Sequence, residues 1–233
     1  MLLAMPVFSM RAAPARSRMI MSLVITFLIW PVLPKMPVIE MLSYEGFMVA
    51  LQQTAIGLCT GFILQLVFAS LVFAGQGVAV SMGLGFANLI DPQTGVQVPV
   101  IAQVYVMTCT LLFLVMDGHL LMIEMLVDSF NTLPVSTAGL VTQDLWSILS
   151  WSSMIFSGGL LLSLPLIAGL LMVNVSFGVA TRAAPQLNIF AVGFPVTLML
   201  GMLMLWLTLP NVLDQFSNLL TQAYGQIGQL LRI

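Results

Sequence analysis

The chain has 233 residues, 60% of them hydrophobic and only 6% charged, against roughly 45–50% and about 25% in soluble domains. Six basic and eight acidic side chains cannot clothe a soluble fold of this size, and a net charge of −2 excludes the basic footprint of a nucleic-acid binder. An integral membrane protein remains, and its apolar runs are continuous rather than alternating, so they predict spanning helices and not a barrel.

At the N-terminus, residues 1–9 are apolar but too short to span, and they lack the layout of a signal peptide. They read as the tail of a helix that begins elsewhere. Residues 11–18 form a basic connector with Arg11, Arg16 and Arg18. A helix at 19–30 follows, ended by Pro31, Pro34 and Pro37. The next span is predicted at 46–74. Glycines and the Asp91-Pro92 pair then predict a long loop at 75–98, and loops beyond about 12–15 residues are usually functional or disordered. A span at 99–116 leads into a partly polar segment from Asp117 to Phe130, and residues 133–144 read as loop. Residues 145–175 predict a kinked helix or two half-helices, because Gly158-Gly159 and Pro165 lie inside. A joint at 183–187 precedes the last long span, 188–209. Residues 214–233 predict an amphipathic helix. Phe216, Leu219, Leu220, Ala223, Ile227, Leu230 and Leu231 recur at spacings of three and four, with Gln215, Gln222, Gln226 and Gln229 between them.

Charge placement predicts a topology. Arg11, Arg16, Arg18 and Arg182 share the cytoplasmic side by the positive-inside rule, while Glu40, Glu45, Glu124, Asp128 and Asp144 fall on the other side, with Lys35 as the exception. Cys59 and Cys109 sit inside apolar runs and read as free thiols rather than a disulfide or metal clip. Asp117, Gly118 and His119, with Glu124 and Asp128 downstream, are the densest ionisable cluster. Proton traffic is one use for such a group and metal binding another, but one histidine is too few for a metal site. An interfacial polar turn is the favoured reading. The glycines of 75–92 do not form GxGxxG between a strand and a helix, which removes nucleotide binding. No HExxH or GxSxG occurs, and no Ser/His/Asp set surrounds the histidine. No catalytic, cofactor-binding or metal residue is therefore assigned.

Three segments carry a resemblance. Thr181-Arg-Ala-Ala-Pro-Gln-Leu-Asn-Ile-Phe-Ala-Val-Gly-Phe-Pro195 resembles the RxxPQxNxFxxGxP segment of the FliR family, flagellar type III export-gate proteins, and of its virulence-secretion relatives. Met82-Gly-Leu-Gly-Phe-Ala-Asn-Leu-Ile-Asp-Pro92 is similar to that family's MGLxF…DP loop. Leu112-Phe-Leu-Val-Met-Asp-Gly-His119, continuing to Asp128-Ser-Phe-Asn-Thr-Leu-Pro134, is similar to its LLFL-x-x-[DN]GH…SFxxLP segment. The likeness runs through nearly the whole chain and treats residues 1–233 as one domain. Two departures stand out. The family's N-terminal helix is normally longer, so the resemblance implies that roughly its first half is absent here, as a truncation or late start would produce, and Thr197 stands where relatives often carry lysine.

The resemblance implies an all-α integral membrane protein whose helical hairpins pack in a pseudo-symmetric export-gate shell. It implies FliP and FliQ as co-subunits, FlhB and FlhA as neighbours, and a bacterial inner-membrane location at the flagellar basal body. Unfolded rod, hook and filament proteins would pass through the pore, with no enzymatic step and no cofactor. The family's loop is expected to plug the closed pore with Met82, Gly83, Leu84, Gly85, Phe86, Ala87, Asn88 and Leu89. Phe86, Met82 and Leu89 would supply an apolar stopper, since a dewetted constriction excludes ions without charge. Asp91, Pro92, Asp117, Gly118, His119, Arg182, Pro185, Gln186, Asn188 and Phe190 carry over as structural and assembly positions. Arg182 is expected to bond helix-end carbonyls or a partner carboxylate, the alternative being snorkelling to the interface. An injectisome homologue from a virulence system is one rival. A secondary transporter with Asp117 or Arg182 at its site is the other.

Overall fold

A computed structural model of the chain describes residues 14–34, 43–84, 99–135, 139–183 and 189–233, with the backbone alone at 189–191. The described residues form helices and no strand: α1 Ala15–Ile29 with a 3₁₀ turn at Trp30–Val32, α2 Tyr44–Ser81, α3 Val100–Val115, α4 Gly118–Thr132, α5 Thr142–Trp151, α6 Met154–Ala183 and α7 Ile189–Leu231. Four stretches are long and apolar enough to cross a membrane: Ala15–Val32, Tyr44–Ser81, Thr142–Ala183 and Val192–Leu231. The α3–α4 pair, bent by 62°, makes a fifth if it is one span. The protein is an all-α integral membrane protein.

Two helices exceed what a bilayer requires. The 38 residues of α2 extend about 57 Å and the 43 residues of α7 about 65 Å, while the hydrocarbon core is only about 30 Å thick.

Several boundaries differ from the sequence reading, each for a local reason. Helix α2 does not stop at residue 74 but runs through Gly75 and Gly77 to Ser81. Those glycines serve close packing: a Cβ at 75 would meet the backbone of Ala102, and one at 77 would lie 3.2 Å from Ile167 Cδ1. The loop expected from residue 75 therefore begins after Ser81. Pro165 does not divide α6, nor do Pro195 and Pro210 divide α7. All three prolines are exposed, so each lost backbone hydrogen bond falls on an open face. The break before α6 lies instead at Ser152-Ser153. Residues 214–231 are the last part of α7, not a separate helix. Their seven apolar positions are buried and Gln215, Gln222 and Gln229 are exposed.

The chain divides into two compact units. Residues 1–68, 110–153 and 220–233 make the first, and residues 69–109 and 154–219 the second. Within the first, Phe68 and Phe113 meet edge to face at 6.0 Å, Thr132 Oγ1 donates to Leu231 O, and Ser147 Oγ donates to Gln226 Oε1. Asp144 accepts the Val141 N–H at 2.9 Å and so caps α5. Within the second, α2 and α6 cross at Gly158-Gly159. A Cβ on Gly159 would lie 2.9 Å from Ser70 O, and Phe73 meets Phe156 edge to face at 5.4 Å. The glycine pair read as a kink thus makes a helix crossing. Helix α1 buries no residue; Phe27 is 80% exposed and Trp30 69%.

Candidate functional site

The second unit holds the root of the glycine-rich loop. Helix α2 ends in a Schellman motif: Leu84 N–H donates to Ala79 O at 2.9 Å and Gly83 N–H to Val80 O at 3.0 Å. Gly83 occupies the left-handed position at φ +83, where a Cβ would be strained and would also lie 3.2 Å from the Phe194 ring. Met82 was expected to add to a stopper. It is turned into the chain, 1% exposed, against Gly201, whose Cβ would lie 2.8 Å from Met82 Cγ. From α6, Asn174 Nδ2 donates to Ser81 O at 3.3 Å. Two further helices therefore hold the point at which the chain leaves α2.

The first unit holds the Asp117-Gly118-His119 joint. Asp117 adopts the left-handed conformation, φ 55 and ψ 24, and its side chain caps nothing. Its carbonyl accepts from Leu120 N–H at 2.9 Å and Leu121 N–H at 3.0 Å, which starts α4 at the 62° bend. Gly118 is buried. Tyr224 Oη donates to its carbonyl at 3.3 Å, and a Cβ at 118 would lie 2.5 Å from that same hydroxyl and 2.6 Å from Phe113 Cε2. His119 Nδ1 is buried without a hydrogen-bond partner. Asp117 and Glu124 are exposed and Asp128 half-buried. The arrangement turns a helix, and among the described residues no group of three metal-ligating side chains forms.

Arg182 is exposed in the last turn of α6, where a cation suits the helix dipole. Among the described residues it bonds no helix-end carbonyl. Phe190 lies in the first turn of α7, with only its backbone described. Gly85, Phe86, Ala87, Asn88, Leu89, Asp91, Pro92, Pro185, Gln186 and Asn188 lie outside the described residues. Sequence reasoning missed Asn174, Phe194, Gly201 and Tyr224. Asn174, a lone amide in an apolar run, was the one signal available, because a polar side chain in such a run needs a partner.

Comparisons with known proteins point in one direction. The profile of bacterial export proteins, family 1, matches residues 1–223. The flagellar biosynthetic protein FliR of Escherichia coli (strain K12) is 36% identical over 226 residues, 97% of this chain and 86% of that protein. FliR of Pectobacterium carotovorum subsp. carotovorum is 38% identical over the same length, with the same coverage. FliR of Bacillus subtilis (strain 168) is 28% identical over 232 residues, 98% of this chain and 89% of that protein.

Proposed function

The chain belongs to the bacterial export proteins of family 1, and from that premise we propose that it is a core subunit of the flagellar protein export gate. FliP and FliQ complete the pore, FlhB and FlhA stand beside it, and unfolded rod, hook and filament subunits pass through it across the bacterial inner membrane at the basal body. The chain performs no chemistry of its own. The observation that carries this reading is the family match over residues 1–223, and the flagellar names of the relatives favour that system over a virulence one.

Helix length and exposed apolar surface support a multi-subunit setting. Helices α2 and α7 are about twice as long as a bilayer crossing needs, and large apolar side chains stand exposed along α1, α6 and α7. Lipid can cover only part of that surface, so other subunits cover the rest. The loop beyond Leu84 plugs the resting pore, with Phe86 in the lumen as an apolar stopper. Gly83 gives the turn out of the helix, and Met82 anchors it.

The test is co-expression. Alone in detergent the chain is expected to aggregate; with FliP and FliQ it should give a defined complex, read by size-exclusion chromatography with light scattering. A stable monodisperse monomer would overturn the gate reading in favour of a transporter.

A further inference from the structure

We infer that Asn174 on α6, with Phe194 and Gly201 on α7, are positioning residues that clasp the last turn of α2 and so fix where the plug is seated. The inference rests on the plug reading above and adds residues to it. A helix end that feeds a long loop normally frays, because its last carbonyls lack partners. Here each one is occupied. Val78 O accepts from Met82 N–H, Ala79 O from Leu84 N–H and Val80 O from Gly83 N–H, while Ser81 O accepts from the Asn174 amide at 3.3 Å. That last bond comes from another helix, so it ties the end of α2 to α6. Met82 seats on Gly201, where any side chain would displace it, and the Phe194 ring lies over the glycine face of residue 83.

Three contacts from two helices make Gly83 a fixed point. A passing polypeptide then displaces the chain beyond Leu84 while the root stays put, and the plug returns to one seat. The polar contact can be isolated chemically. Asn174→Asp keeps the shape but replaces the donor with an acceptor facing Ser81 O, so attraction becomes repulsion. Phe194→Ala removes the ring and leaves the helix intact.

The experiment uses the assembled gate with FliP and FliQ in liposomes, measuring resting ion flux, together with amide exchange at Gly83 and Leu84 in the same complex. Asn174→Asp and Phe194→Ala are each expected to speed exchange at those amides about fivefold, the loss of one modest interaction, and to raise flux severalfold with complex yield unchanged. In a gate that also lacks residues 85–89 they should add no flux. Exchange at the wild-type rate overturns the clasp. Faster exchange with wild-type flux, in a gate that leaks once 85–89 are removed, overturns its role in seating the plug and leaves the plug standing. Added flux in the shortened gate places the damage elsewhere and also overturns that role. A shortened gate that stays tight overturns the plug reading itself, and the seating role with it.

Discussion

Gly75→Ala is expected to destabilise the assembled protein by about 3 kcal/mol, at the upper end for overpacking a well-filled contact. The added methyl would lie 2.7 Å from Ala102 N and 2.6 Å from Ala102 Cβ, with Ala102 Cα nearer still. Two of those three atoms are backbone, so no rotamer change relieves the clash, and α2 and α3 must separate at this contact. Ala102→Gly removes one of the three atoms and should not rescue. Thermal unfolding of the purified complex measures the loss. Wild-type stability in Gly75→Ala, or full rescue by Ala102→Gly, would mean that the helices do not meet backbone to backbone.

Gly118→Ala is expected to cost about 2 kcal/mol, less than at residue 75 because here the obstacles are side chains. The new methyl would meet Tyr224 Oη and the Phe113 ring. Tyr224→Phe removes the hydroxyl at a cost of about 1 kcal/mol for its bond to Gly118 O, yet in combination it should recover part of the loss. Asp117 gives the opposite outcome. Its left-handed backbone costs an ordinary residue about 1–2 kcal/mol, so Asp117→Gly should leave stability unchanged or raise it, and export should continue. If the joint carried protons through the Asp117 carboxylate, that substitution would abolish export with the fold intact.

The large pattern was legible because solvent sets it. Composition alone gives the membrane class, and the three-and-four spacing from Phe216 to Leu231 gives the face that is buried in α7. Boundaries were less legible where glycine and proline have two uses. Gly75 and Gly77 look like loop residues in sequence, but a glycine that lets two helices touch has the same letter as one that frees a turn, and only Gly83 needs the positive φ. Pro165 looks like a break, and the span predicted at 188–209 stops short of Pro210, but a proline on an exposed face can remain in a helix whose other side is packed. The family motifs gave Met82, Gly83, Asp117 and Gly118 as positions of interest without saying that Met82 faces inward. The contacts of Asn174, Phe194 and Gly201 join residues far apart in the chain, and no local periodicity encodes them.

We propose that this chain helps to form a pore and carries the plug that closes it. The deciding measurement is ion conductance of the assembled gate in a planar bilayer, with residues 85–89 removed and Gly83 and Leu84 kept. Phe86→Asp serves as a full-length companion, since a carboxylate at a constriction holds water and removes the dewetting barrier. Both gates should assemble at wild-type yield and conduct ions steadily at rest, while the wild-type gate stays closed. A shortened gate as tight as wild type would mean that residues 85–89 do not close the pore.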